Sequence, residues 1–424
     1  MQMLRRLEGE PAVLRAFAVT GLFFMLVPGT LLGVMNLVTI SGHHAAGTAA
    51  AAWVQAHGHA QFFGWIGTFI LGIGYHSLPR HRILRIAGVD ERWVCLALWT
   101  TGVLLRWAVG TQPAAWRVML PLGSLFELVA LLMFVRASSG HRPADTEHRV
   151  PEAWAFVVIA GTVGFLVALV ANMYVSLMVA LQGDSTVFPS DANRRILAIS
   201  LWAFLVPFVW GFTARWIPSM IGTPRASGRG ILAATAVCFA GVAVYCAGFA
   251  PAGAALMLAS AIAAAGSLRV FERRSNTVER EGVPAWSGVA VRAAYVWMLI
   301  GATLSLVAAI YGPNATGVLG AYRHAMTVGF LAVMVFTVGP VVLPVFAGDR
   351  TIFSSRLAVL ALVVLNIGCT LRVVSQIGAY DANAEWAWAL LPVSAVIELT
   401  AVCAFATNLA ITMASPRASR MKLA

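Results

Sequence analysis

Charged side chains are scarce in this chain: Asp, Glu, Lys and Arg make up 11% of its 424 residues, where a soluble domain carries about 25%. A water-soluble globule is therefore excluded. Lysine is nearly absent, Lys422 standing alone among 29 basic residues. Cysteine is sparse as well. Cys95, Cys238, Cys246, Cys369 and Cys403 lie singly inside apolar runs, so neither a disulfide framework nor a Cys-rich metal site is expected. The formal charge is +12, but the arginines are scattered through short loops and form no patch or arm. Nucleic acid is thus not expected as a partner, and orientation in a lipid bilayer accounts for the basic residues.

What the chain has in quantity is apolar sequence, 60% of the whole, with a mean hydropathy of +0.82. At roughly 20 apolar residues per crossing there is room for about a dozen spans. Runs bounded by Pro, Gly and charge predict twelve transmembrane helices at 13–40, 55–78, 93–111, 116–136, 153–181, 195–217, 230–249, 252–271, 287–311, 321–347, 355–379 and 386–413. The expected class is an all-α polytopic membrane protein, one integral membrane domain over 1–424. The run from Val13 to Ile40 is longer than a signal-peptide core and lacks a small-residue cleavage pattern, so it reads as the first span.

Basic residues then alternate between two sides. One side collects Arg5, Arg6 and Arg15; Arg80, Arg82, Arg85 and Arg92; Arg136, Arg142 and Arg149; and Arg215, Arg225 and Arg229. It continues with Arg269, Arg273, Arg274, Arg280 and Arg292, then Arg350 and Arg356, then Arg417, Arg420 and Lys422. The other side holds only Arg117, Arg194, Arg195 and Arg323. Both termini are therefore expected on the cytoplasmic side. Arg106 and Arg372 fall inside spans.

An internal repeat relates those two arginines. His59-Ala-Gln-Phe-Phe-Gly64, Gly74 and Leu78-Pro79 match His324-Ala-Met-Thr-Val-Gly329, Gly339 and Leu343-Pro344 at a constant offset of 265. Gly102-x-x-Leu105-Arg106 matches Gly368-x-x-Leu371-Arg372 at an offset of 266. Leu120-Pro121 with Glu127 matches Leu391-Pro392 with Glu398 at an offset of 271. Helices 2–4 thus resemble helices 10–12. A fainter copy falls in helix 6, where Gly211 and Pro218 repeat the spacing of Gly72 and Pro79 and put Ala198 at the histidine position. The expected arrangement is three arcs of four helices about a pseudo-threefold axis.

His57, His59 and His324 lie near the starts of helices 2 and 10, at the depth of Arg106 and Arg372. Ionisable groups inside a membrane are costly unless paired, which marks them as candidates for function. Two facing imidazoles can hold a haem iron, and two arginines suit its propionates by bidentate pairing. A haem b, one per chain, between helices 2 and 10 accounts for all of them. His57 and His59 are about 200° apart on a helix, so only one can face an iron, and repeat symmetry favours His59. Glu127 and Glu398 are candidates for handling protons, or for carboxyls bonded within the bundle. His43 and His44, in the loop before helix 2, are weak candidates for copper or zinc; no ligand triad for copper is visible. His76, beside Arg80 and His81, reads as interfacial. Trp53, Trp65, Trp116 and Trp386 mark interfaces, and Gly64-Trp65 and Gly329-Phe330 permit close approach of a helix or macrocycle.

These residues resemble a family. Trp53-x-x-x-His57-Gly-His59-Ala-Gln-Phe-Phe-Gly64-Trp65 is similar to the tryptophan and HxH-x-x-x-x-G-[FW] segment of NnrS proteins, and Arg323-His324-Ala-Met-Thr-Val-Gly329 to their HALTVG segment. Gly211-Phe-Thr-Ala-Arg215-Trp-Ile-Pro218 and Ala294-Tyr295-Val-Trp297 add to the likeness, while Ala60-Gln61 departs from the acidic residue usual after the second histidine. The resemblance implies a haem-containing protein of nitric-oxide tolerance in a bacterial inner membrane. A more distant similarity is to the catalytic subunit of haem–copper oxidases and nitric oxide reductases, and it implies their bundle. There the cbb3-type pattern favours His57, which stands seven residues before Gly64, over His59. His324 takes the place of the low-spin ligand, and Tyr322 replaces the histidine of the catalytic haem. No histidine lies between His148 and His324, so the resemblance implies a low-spin site without a binuclear centre. The competing expectations are a transporter without haem, or an electron-transfer or reductase subunit. Expected partners are lipid, nitric oxide or a related small ligand, and an electron donor of unassigned kind.

Overall fold

The computed structural model describes residues 2–77, 89–111, 114–138, 152–274, 283–312, 315–346 and 351–414. Among them the chain is helical, with short connections and no strand. Backbone groups inside a bilayer must bond within their own segment, which is why the long apolar runs form helices. We number these α1 (Ala12–Gly42), α2 (51–77), α3 (Asp90–Thr111), α4 (Trp116–Ser138), α5 (Ala153–Gln182) and α6 (Ser190–Ile221). They continue as α7 (Gly228–Cys246), α8 (Ala250–Leu268), α9 (Ser287–Tyr311), α10 (Thr316–Val345), α11 (Ser355–Tyr380) and α12 (Glu385–Ala414). Eleven are long and apolar enough to cross a membrane. The twelfth, α2, is equally continuous but carries Gln55, His57, His59, Gln61 and His76. Leu78-Pro79, His81, Arg80, Arg82, Arg85, Arg142, His148, Arg149, Arg280, Arg350, Arg417, Arg420 and Lys422 lie outside the described residues, as do the side chains of Arg5 and Arg6.

Helices adjacent in sequence pack as neighbours, and α12 returns to α1. This gives three arcs, α1–α4, α5–α8 and α9–α12, whose second members lie innermost. The apolar windows of α6 and α10 are 78% and 72% buried, against 33–56% for the other nine candidate spans. Aromatic side chains fill the space between the inner helices: Phe63, Phe165 and Phe204 stack, the last two with centroids 3.8 Å apart.

Each inner helix widens into a π turn at the corresponding place. The π segments are Ala60–Gly67 in α2, Ile199–Leu205 in α6 and Ala325–Ala332 in α10. The first and third are 265 residues apart at both ends, and Ile199 follows Ala60 by 139, the interval from Gly72 to Gly211. All three begin directly after His59, Ala198 and His324. A fourth, Met25–Leu31 in α1, contains Pro28, whose ring and missing N–H break the normal helical ladder. There the Thr30 hydroxyl donates to the Met25 carbonyl at 2.8 Å.

All three inner helices start earlier than hydropathy predicts, α2 at Ala51 and, five residues early each, α6 at Ser190 and α10 at Thr316. The first turns of α6 and α10 are polar and held by charge. The Asp381 carboxylate, just beyond α11, accepts from Gly317 N and Val318 N of α10 at 2.7 and 2.8 Å, and in α6 Asp191 pairs with Arg194. A carboxylate at a helix N-terminus satisfies the free N–H groups. Of the cysteines, Cys95, Cys238 and Cys369 are buried, Cys246 is half-buried and Cys403 faces outward.

Close helix approach depends on small residues, as at Gly164 of α5, where an added Cβ would collide with the Ala203 carbonyl of α6. Gly164→Val should lower stability by about 1–3 kcal/mol, read as a drop in the thermal unfolding midpoint in detergent. Gly266→Ala in α8, with nothing within 4 Å of the new carbon, should be neutral or stabilising by up to about 1 kcal/mol.

Candidate functional site

A cavity of about 440 Å³ opens between α1, α2, α6, α10, α11 and α12, at the end of the bundle where α2 and α10 begin. That size suits a small-molecule or cofactor pocket, which typically spans roughly 300–1,000 Å³. His57 of α2 and His324 of α10 both line it, with Arg323, Arg372 and Glu398. His59, Arg106, Glu127 and Tyr322 do not.

The two lining imidazoles are fixed in the same way. The π turn around Pro28 presents the Gly29 carbonyl to α2, where His57 Nδ1–H donates to it at 2.8 Å. His324 Nδ1–H donates to the Gly320 carbonyl one turn back, at 3.0 Å. A carbonyl can only accept, so each bond puts the proton on Nδ1 and leaves the Nε2 lone pair free. Gly33 of α1 backs the His57 ring, since a Cβ there would meet its Cε1 at 2.6 Å.

Several buried polar atoms of the lining residues have no hydrogen-bond partner. They are Asn36 Nδ2, Trp65 Nε1, Arg372 Nε and Nη1, Gln376 Oε1 and Glu398 Oε1. Native interiors leave few such groups, so a cluster of them around one cavity calls for a polar occupant. Arg372 is a preformed donor for a carboxylate there.

The remaining sequence candidates are placed elsewhere. His59 turns into the first arc and pairs with Glu127 Oε1 of α4 at 2.7 Å, both side chains being buried. Arg106 stays in that arc, its Nη2 donating to Gln55 Oε1 at 3.3 Å and its guanidinium lying 4.6 Å from the centroid of the Phe188 ring. The two glutamates occupy like settings. A Cβ on Gly102 would meet Glu127 Cγ at 2.7 Å, and one on Gly368 would meet Glu398 Cγ at 2.8 Å. Only Glu398 reaches the cavity. The Tyr322 hydroxyl accepts from Trp202 Nε1 at 2.9 Å on the side facing α6, a region packed with Trp202, Trp210 and Tyr295. His43 Nδ1 bonds the Thr39 carbonyl on the surface at 2.8 Å. His44 stacks on Trp388 and lies 3.6 Å from Glu385. Among the described residues no three His, Cys, Asp or Glu side chains are grouped as metal ligands.

Trp65 is 5% exposed and lines the cavity. His76 is likewise buried. Gly64 and Gly329 serve helix packing, Gly64 lying against Phe24 and Val103 and Gly329 against Trp297. Sequence reasoning passed over Asn36, Gln55 and Gln376, although a lone amide within an apolar span was the signal available.

This is an all-helical membrane protein with a haem–copper-oxidase-like fold. A solved structure of a heme-copper terminal oxidase dimer is similar to it, with a TM-score of 0.69, 16% sequence identity, and coverage of 96% of this chain and 85% of that chain. At that identity the likeness is one of fold. A family model described as a domain of unknown function (DUF8744) matches residues 219–413, from the end of α6 through α12, which includes His324 but not His57. No curated protein matches the sequence.

Gln55 ties the cavity wall to the first arc. Its Oε1 accepts from Phe188 N at 2.9 Å as well as from Arg106, and its Nε2 donates to the Phe188 carbonyl at 2.9 Å. Gln55→Ala strips partners from a buried guanidinium and a loop peptide, and should cost about 1–3 kcal/mol, measured by thermal unfolding in detergent.

Proposed function

We propose that the chain is a haem b-binding membrane protein of the NnrS type, acting in the response to nitric oxide or nitrosative stress, with His57 and His324 as axial ligands. The observation that carries this reading is the pair of imidazoles from α2 and α10 that face one buried cavity, each with Nδ1 tied to a backbone carbonyl. Metal-bound histidines almost always donate their second nitrogen in this way, which fixes the ring and raises its basicity. Leu37, Val54, Phe62, Ile66 and Leu331 supply apolar walls for a macrocycle, and the unpartnered donors of Arg372 suit its carboxylate substituents. The segments behind the NnrS resemblance contribute directly to this wall, through His57, Gly58, Gln61, Arg323, His324 and Thr327.

When bound, such a group supplies one-electron redox chemistry and an iron open to small ligands if an axial position is vacated. The protein's part is to orient both rings, exclude water with the apolar walls, and neutralise the propionates with Arg372 and Arg323. Because both imidazoles are anchored, the site favours electron carriage or sensing over turnover of a bound gas. Histidines for a second, copper-bearing centre are missing from the sequence. The arginine distribution supports placing both termini in the cytoplasm of a bacterial cell and the cavity near the periplasmic face of the inner membrane.

Protein purified in detergent from haem-replete cells should show sharp reduced α-bands and about one haem b per chain by pyridine haemochrome. His57→Ala and His324→Ala should each lower bound haem by more than about tenfold, whereas His59→Gln should keep it. Folded but colourless wild-type protein, or haem lost with His59 and kept without His57, would refute the assignment.

A further inference from the structure

Glu127 and Glu398 sit in matching positions on α4 and α12, yet they are treated differently. Glu127 bonds His59 through Oε1, keeps an unpartnered Oε2, and lies outside the cavity. Glu398 lines the cavity, is buried, and has an Oε1 with no hydrogen-bond partner. No ion pair joins it to Arg372, its cationic neighbour on α11, two of whose guanidinium nitrogens are also without partners. A buried carboxylate with a nearby cation but no direct ion pair is held only by longer-range attraction, so its charge responds to a change in the cavity.

The other groups on the surrounding helices are already committed. On α11, Arg372 remains a cation, the Cys369 thiol is directed at the His324 carbonyl, and Tyr380 packs on Trp388. On α10, Arg323 remains a cation and the His324 ring is fixed at Gly320. On α2, His57 is fixed at Gly29. The α1 wall offers Asn36 and the α6 wall Asn193, Leu197 and Leu205, none of which titrates. Glu398 is the carboxyl group among the residues that line the cavity.

Building on the cofactor assignment above, we infer that Glu398 is a redox-linked proton site. Reduction of the bound haem by one electron from a one-electron reductant would be matched by one proton from bulk hydronium ion, one of whose O–H bonds breaks, leaving water, as an O–H bond forms on the Glu398 carboxylate. On reoxidation that bond breaks and the proton leaves, so charge in the cavity is conserved through the cycle. The physical cause is like-charge repulsion in a medium of low dielectric, which disfavours the carboxylate once a negative charge is added nearby.

The test is spectroelectrochemical titration of the purified holoprotein across pH. The wild-type midpoint potential should fall as pH rises, approaching about 59 mV per tenfold fall in proton concentration where Glu398 titrates. Glu398→Gln should flatten that dependence, Glu398→Asp should restore it, and Glu127→Gln should leave it in place. Reduced-minus-oxidised infrared spectra of the wild type should gain a protonated-carboxyl band that shifts in D₂O, and Glu398→Gln should lack it. A pH-independent wild-type potential, or a slope and carboxyl band that survive in Glu398→Gln, would overturn the inference while the haem assignment stands. Protein without haem would give no titration and would overturn that assignment instead.

Discussion

Inside a bilayer a buried donor or acceptor has no bulk water to fall back on, and this constraint governs the region between α1, α2, α6 and α10–α12. In other parts of the bundle many buried polar groups are paired: the Tyr322 hydroxyl finds Trp202, the Tyr295 hydroxyl finds Thr213, and Ser124, Asn172 and Ser176 bond one another. Around the large cavity Arg372, Gln376, Glu398, Asn36 and Trp65 all keep an unpartnered atom. The imidazoles of His57 and His324 stand among them with one nitrogen bonded and the other unused. A wall built this way makes sense around an occupant that is partly apolar, partly anionic, and able to accept a lone pair on two sides.

Breaks in helical regularity accompany that arrangement. The Gly29 carbonyl that accepts from His57 lies in the π turn around Pro28. The inner helices widen just after their histidine or alanine positions, at Ala60, Ile199 and Ala325. Wide turns of this kind are rare in helices and recur at functional sites. Here they border both imidazole-bearing turns of the cavity.

The arcs are alike in plan and unlike in use. A constant offset pairs His324 with His59, and each histidine does lie just before a π segment. Yet His59 faces its own arc and meets Glu127, while His57, two residues earlier and nearly opposite on the helix, reaches across to the cavity of the third arc. Arg106 and Arg372 divide in the same way, the first bound to Gln55 and lying against the Phe188 ring, the second at the cavity wall. Equivalence by repeat thus identifies like positions within arcs, while a site between arcs draws on residues that are not repeat mates.

The membrane class, the helical content and the approximate position of every span could be read from the sequence, because hydropathy over about 20 residues reports the bilayer requirement directly. That His57, His59, His324, Arg372 and Glu398 are ionisable residues set within apolar runs was legible too, since such groups stand out by cost alone. Helix starts at Ser190 and Thr316 were not legible, because Asp381 and Asp191 hold polar turns that hydropathy discounts. Nor was the choice between His57 and His59, or between a paired Glu127 and an unpaired Glu398. Those depend on which way a side chain turns across an interface between helices distant in sequence. Gly33 and Gly102 leave the space that His57 and Glu127 occupy, an effect that exists only once the helices are packed.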